Sequence, residues 1–132
     1  MITLLTKSQI GLTKALEDYL KVIYIIQIVK KKRIVRVRDI ALFMQVKMSS
    51  VTSALKKLSD LGLINYSKRN YVELTDEGKE LASKLYKRWE VIYLFLKDVL
   101  KVKEEIARRD ACKIEHVISK ETYDAIRKTL ID

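Results

Sequence analysis

Residues 37–74 read VRDIALFMQVKMSSVTSALKKLSDLGLINYSKRNYVEL, and the spacing of apolar residues in this stretch decides the fold. Asp39 to Met44 is predicted as a short helix, and Gln45 to Met48 as a tight link. A second helix is predicted to start near Ser49 and to stop at Gly62, because glycine readily takes the left-handed conformation that ends helices. Val51, Ala54, Leu55 and Leu58 recur at helical spacing and form its inward stripe. Leu63 to Ser67 and Tyr71 to Leu74 are β-prone runs separated by Lys68-Arg69-Asn70, the pattern of a hairpin. Two short helices, a tight link and a basic hairpin together spell a winged helix-turn-helix.

Such a unit sets the N-terminus of its second helix into the DNA major groove. Here that N-terminus carries Ser49, Ser50, Thr52 and Ser53, small hydroxyl side chains that let the backbone approach closely and that donate hydrogen bonds. Lys56 and Lys57 follow one turn later, within reach of phosphates. Lys68 and Arg69 at the hairpin tip suit a wing on the sugar–phosphate backbone. Arg38 and Lys47 complete the set of candidate DNA contacts. Serine-rich turns cap many helices, and lysine pairs are commonly just solvated. The combination of helix pair, wing and basic charge is what points to double-stranded DNA.

Working outward, residues 1–12 show no period and are expected to form a loose arm. Thr13 is the expected cap of a helix from Lys14 to about Val29, with Leu16, Leu20, Ile23 and Ile26 on its apolar face. Lys30 to Arg33 is a basic connection, and Ile34 to Val37 has β character. On the other side, Thr75 followed by Asp76 and Glu77 opens the longest helix, to about Leu100. A further helix is expected from about Lys103 to Val117, and Ser119 caps a last one, Lys120 to Ile131. The fold class is mainly α, with one domain over residues 1–75 and a helical one over 76–132.

Composition agrees. The 132 residues are 48% hydrophobic, enough for a core, and carry a net charge of +10 from 27 Lys and Arg against 17 Asp and Glu. That excess suits a polyanionic partner. The single cysteine excludes an intramolecular disulfide and fits a reducing compartment. No basic stretch precedes the apolar residues at the N-terminus, and no apolar run approaches the ~20 residues that span a bilayer. A cytoplasmic protein without a membrane partner is expected.

That cysteine and the single histidine lie four residues apart in Cys112-Lys113-Ile114-Glu115-His116. Positions i, i+3 and i+4 share a helix face, so thiolate, carboxylate and imidazole would converge. First-row transition metals accept these groups. A lone cysteine is often just a small buried hydrophobe, and one helix rarely completes a metal site, so a fourth ligand would have to come from elsewhere. The competing chemistry is a Cys112 nucleophile with His116 as base. Residues four apart on a helix point alongside each other, and no glycine-rich oxyanion loop is apparent, so an enzyme is not expected.

The chain from Leu12 to Leu130 resembles the diphtheria toxin repressor and manganese transport regulator family of metal-dependent transcriptional repressors. The resemblance is carried by Glu17-Asp18-Tyr19-Leu20, Ile23-Tyr24, Val37-Arg38-Asp39-Ile40-Ala41, Ser49-Ser50-Val51-Thr52, Leu61-Gly62-Leu63 and Leu74-Thr75-Asp76-Glu77-Gly78. The run Asp110 to Ser119, holding Cys112, Glu115 and His116, is its most specific part. The resemblance implies an N-terminal winged helix-turn-helix followed by a helical dimerisation and metal-binding domain. It also implies a homodimer on a palindromic operator and repression activated by Fe(II) or Mn(II). It supplies the fourth ligand at the position matched by Asp18, giving Asp18, Cys112, Glu115 and His116. Family members with cysteine at the position of Cys112 respond to iron, whereas those with aspartate at the position of Asp18 respond to manganese. This chain mixes the two patterns.

The departures carry information of their own. Where many members hold a second metal, this chain has Trp89, Tyr93, Arg108 and Lys21, none a usual ligand. One metal per subunit is therefore expected. Lys21 and Arg108 are candidates to replace the missing cation electrostatically. Trp89, Ile92, Phe95 and Leu96 are candidate core or dimer-interface residues. The chain ends soon after the cysteine helix, so the SH3-like third domain of larger members is expected to be missing. The alternative function is a metal-independent winged-helix regulator responding to a small molecule, with Cys112 and His116 as remnants.

Overall fold

The computed structural model describes residues 12–67 and 69–131. The expectation for the arm therefore falls, except at Leu12, outside the described residues, as does that for Lys68. Leu12 itself is buried, so the ordered core begins ahead of the Thr13 cap rather than after it. The chain divides into two compact units between Ser83 and Lys84.

In the first unit, α1 (Lys14–Tyr24) opens on Thr13, whose hydroxyl oxygen accepts the Leu16 N–H at 3.2 Å. The helix does not run unchanged to Val29 as expected. From Ile25 to Val29 it widens into a π-helical turn, closed by the Lys30 N–H donating to the Ile25 carbonyl at 2.8 Å. Gln27 sits in this turn, and its Oε1 accepts the Leu74 N–H at 3.1 Å. Leu16, Leu20, Ile23 and Ile26 are buried, as their spacing predicts.

Strand β1 is only Val35–Arg36. Val37, expected as strand, already begins α2 (Val37–Met44). The reason is Asp39, which does not start the helix but sits in its first turn. One carboxylate oxygen accepts the Arg36 N–H at 2.9 Å, and the other pairs with the Lys32 ammonium at 2.8 Å. Gln45, at φ 57°, ends α2 and opens the tight link. Helix α3 (Met48–Asp60) starts one residue before Ser49, so Ser49 lies in the first turn and does not cap it. Val51, Ala54, Leu55 and Leu58 are buried, and α1, α2 and α3 pack on one another around them.

The end of α3 shows why two glycines are needed. Gly62 has φ +75°, its N–H donates to the Ser59 carbonyl at 3.0 Å, and the Leu63 N–H donates to the Leu58 carbonyl at 3.1 Å. This is the left-handed helix stop that glycine favours, with buried Leu63 closing over Leu58. Strands β2 (Ile64–Tyr66) and β3 (Tyr71–Leu74) follow, and the sheet order is β1-β3-β2, antiparallel throughout. Thr75 then caps α4 (Asp76–Leu94): its hydroxyl accepts the Gly78 N–H at 3.0 Å and donates to the Gly62 carbonyl at 2.8 Å. Gly78 lies against the Leu63 backbone, and a Cβ there would fall inside the Leu63 carbonyl.

The second unit begins within α4. The long helix is α-helical to Leu94, not to Leu100, and widens into a second π-helical turn over Phe95–Val99. Helix α5 is Glu104–Ile114, three residues shorter than expected at its C-terminus, and α6 is Lys120–Ile131. Both α5 and α6 pack on residues 95–99. Ala107 and Ala111, one turn apart and fully buried, are the small residues that let α5 approach closely. Ile92 is buried within this single chain, whereas Trp89, Phe95 and Leu96 are half-buried.

Two outcomes follow from these contacts. Gly78→Ala should destabilise the protein by about 1–3 kcal/mol, because backbone and not a flexible side chain must move. Urea unfolding with no loss of stability would remove the close approach from the account. Asp39→Ala should cost about 1 kcal/mol at pH 7. Burial works to raise the Asp39 pKa, but the Lys32 ammonium and the Arg36 N–H, with the charges of Lys32 and Arg38, hold the carboxyl below its ordinary value. A group with a lowered folded pKa contributes above its unfolded pKa, about 4, and loses that contribution as pH falls through the folded value. The gap between wild type and Asp39→Ala should therefore be constant down to about pH 4 and shrink below it.

Candidate DNA interface and metal centre

Helix α3 turns one face to the core and the opposite one to solvent. Ser49, Ser53 and Lys56, at i, i+4 and i+7, form the exposed stripe directly opposite the buried one. Ser50 and Lys57 are exposed on its flank. Thr52 is half-buried, and its hydroxyl donates to the Ser49 carbonyl at 3.0 Å, so its proton is turned back onto the helix. Arg38 and Lys47 are exposed at the starts of α2 and α3, and Arg69 is exposed in the wing.

The sheet adds residues that the local sequence did not single out. Antiparallel register sets Arg36 opposite Tyr71, and the Arg36 guanidinium lies 5.3 Å from the Tyr71 ring centroid. Arg36, Arg38 and Arg69 thereby line one cleft together with Met48, Asn70 and Tyr71. Three arginines lining one cleft give it a positive charge suited to an anion such as phosphate. No signal within the β1 sequence gives Arg36 this place; only the strand pairing does. At the wing, the Ser67 N–H donates to the Tyr71 carbonyl at 3.0 Å and Asn70 takes φ 63°, which shapes the turn.

In the second unit, α5 ends before the ligand run is complete. Cys112 is in its last turn and half-buried. Glu115 is the residue just past the helix and is 3% exposed. The His116 N–H reaches back three residues, to the Lys113 carbonyl at 3.3 Å, so the chain has tightened there. Glu115 keeps helical φ and ψ and donates its N–H to the Ala111 carbonyl at 3.0 Å, so the regular bonding gives way only at His116. A Glu115 carboxylate oxygen and a His116 ring nitrogen nonetheless lie within 4.8 Å of each other. Carbonyls at a helix C-terminus carry partial negative charge, which favours a cation there. Carboxylate and imidazole are donors that a first-row divalent ion accepts, so Glu115 and His116 fit a metal, whereas the Cys112 thiol is not among the donor atoms gathered there.

Asp18 stands half-buried on α1 in the first unit, with the Lys21 ammonium 3.7 Å from its carboxylate. Glu17 and Lys21, on the same helix, are both buried. In the second unit, Trp89 and Tyr93 stack nearly parallel with ring centroids 5.0 Å apart. The Tyr93 hydroxyl donates to Glu104 Oε1 at 3.2 Å, the Arg108 guanidinium donates to the same oxygen at 3.0 Å, and the Trp89 indole N–H reaches the Arg108 carbonyl at 3.4 Å.

Comparison with known proteins is decisive. Residues 11–72 match the model for the iron dependent repressor, N-terminal DNA binding domain, and residues 75–131 match that for the iron dependent repressor, metal binding and dimerisation domain. The chain is 38% identical over 112 residues to the transcriptional regulator MntR of Escherichia coli O157:H7, covering 85% of this chain and 70% of that one. The family is established. This chain belongs to the diphtheria toxin repressor and manganese transport regulator family, a family of metal-dependent, DNA-binding transcriptional repressors.

A second relative of this repressor family member is an HTH-type transcriptional regulator of Methanocaldococcus jannaschii, 34% identical over 116 residues, covering 88% of this chain and 92% of that one. Among solved structures, the manganese regulator SloR superposes with a TM-score of 0.74 at 30% identity. That match covers 88% of this chain and 53% of SloR, so the chain spans about half the length of that structural relative. Among the described residues, no helix is long and apolar enough to cross a membrane.

The arginine cleft generates a test. Arg36→Ala with Arg69→Ala should weaken specific and non-specific DNA alike and lower the slope of log affinity against log salt by about two. An unchanged slope would remove the cleft from the interface.

Proposed function

We propose that this chain is a homodimeric repressor of metal homeostasis, activated by one Fe(II) or Mn(II) per subunit and acting on a palindromic operator in the cytoplasm. The reading is carried by one combination: three arginines around a winged-helix cleft, and a buried carboxylate beside an imidazole just past α5. We assign the four ligands to Asp18, Cys112, Glu115 and His116. When bound, the ion supplies positive charge that offsets the thiolate and the two carboxylates. The Cys112 thiolate favours Fe(II) over Mn(II) by softness.

Asp18 belongs to the first unit and the other three ligands to the second. Ligation by all four therefore ties the units together, and Asp18 exchanges the Lys21 ammonium for the ion. In the dimer, the tie holds two α3 helices one turn of DNA apart, about 34 Å. Operator affinity rises because the competent spacing becomes populated, with no contact from metal to DNA. We assign the DNA contacts to Arg38, Lys47, Lys56, Lys57, Lys68 and Arg69 on phosphates and to Ser49, Ser50, Thr52 and Ser53 nearest the bases. Mutual engagement of Trp89, Tyr93 and Arg108 supports a single ion, because the side chains at the family's second-site positions are already bonded to protein.

Anaerobic calorimetry with Co(II) should find one tight ion per subunit, and two comparably tight ions would refute the stoichiometry. Asp18→Ala should leave fold and dimer intact, weaken metal binding and abolish metal-dependent operator affinity. Cys112→Ala should do the same, and the double variant should cost less than the two losses summed, since both act on one site. Asp18→Ala protein that still answers metal as wild type does would refute the tie between units.

A further inference from the structure

The last carbonyls of a helix have no partner inside it, and something must supply one. At the end of α5 the partner comes from α4. The Arg88 Nε–H donates to the Glu115 carbonyl at 2.9 Å, and its Nη2–H donates to the Ile118 carbonyl at 2.8 Å. The same guanidinium lies 5.3 Å from the ring centroid of Tyr123 on α6. One planar group therefore grips the backbone on both sides of His116 and Val117.

The grip falls just past the end of α5. Between α5 and α6 the backbone is held by short-range bonds only: His116 N–H to the Lys113 carbonyl at 3.3 Å, Val117 N–H to Ile114 at 3.0 Å and Ile118 N–H to Ile114 at 3.1 Å. A metal site tolerates ligand displacement of only about half an ångström, so ligands just past a helix end gain from a brace held by another helix. Arginine suits this task, since its rigid fork makes two directed bonds at once where lysine makes one.

We propose that Arg88 is the positioning residue of the metal centre, fixing the backbone of Glu115 and His116 before any ion arrives. This rests on the assignment of Glu115 and His116 as ligands. Arg88 donates to their backbone and not to the ion, so its effect is on how well the ligands are placed.

The test compares full-length wild type, Arg88→Lys, Arg88→Ala and His116→Ala by Co(II) calorimetry, Co(II) absorption at saturation, and hydrogen exchange of the metal-free proteins. Arg88→Lys keeps the charge and the stem over Tyr123 but loses the fork, and it guards against a poorly folded alanine variant. Removing such indirect partners typically lowers metal affinity about 10–100-fold. Arg88→Lys should fall about tenfold and Arg88→Ala by up to about 100-fold. The amides of His116, Val117 and Ile118 should exchange faster in both metal-free variants. At saturation both should show the wild-type Co(II) band, because the ligands are unchanged, whereas His116→Ala should shift it. If His116→Ala loses affinity while Arg88→Lys and Arg88→Ala bind as wild type, the positioning role is overturned and the ligand assignment stands. If His116→Ala binds Co(II) as wild type, the ligand assignment fails and the role of Arg88 falls with it.

Discussion

The first unit depends on burying one face of α3. Val51, Leu55 and Leu58 are fully buried, and Ala54 nearly so. Burial of each large apolar side chain is worth about 1.5–3 kcal/mol, and no rotation of the helix keeps all four covered with Ser49 or Lys56 turned inward. The spacing that makes the core therefore also decides which hydroxyls and which lysine are turned to solvent. The α3 exit is set by the same residues, because Leu63 closes over Leu58 only if Gly62 takes its left-handed turn. From there the hairpin has one direction to run, and Arg36 meets Tyr71 at the cleft.

The second unit meets a different requirement. Glu115 and His116 are polar and sit where α5 has just ended, so helical bonding and apolar burial alone do not hold them. Glu115 is buried although it is a carboxylate, which costs energy unless it finds polar or cationic partners. Contacts from α4 to α5 and to the chain just past it lie nearby. Arg88 takes the carbonyls at the helix end, Ala107 and Ala111 allow close approach, and the Trp89–Tyr93 stack with Glu104 and Arg108 joins the two helices further along.

The ligand set proposed above draws on both units. Asp18 and the Cys112–His116 run stand in different units, so under that proposal a shared ion would act as a switch instead of a fixed strut. In the proposed ligand set the cysteine favours softer ions, while the aspartate supplies a hard oxygen. The lysine beside Asp18 gives that carboxylate a cation when no metal is bound.

Much of this was legible in the sequence because it is local. Helical period gave the α1 and α3 core faces, Gly62 gave the α3 stop, and β-prone runs around a basic turn gave the wing. The Cys112-to-His116 spacing marked the donor run, though the regular helical bonding it assumed gives way at His116, whose N–H turns back to Lys113. What the tertiary structure alone decided is long in range: Arg36 joining Arg38 and Arg69 through strand register, Gly78 needed because Leu63 passes over it, and Arg88 reaching carbonyls 27 and 30 residues away. Periodicity reports which face of an element is apolar, but it does not report which distant backbone group will be left without a partner. Those groups find one only when the elements pack, and there the remaining residues of the site were chosen.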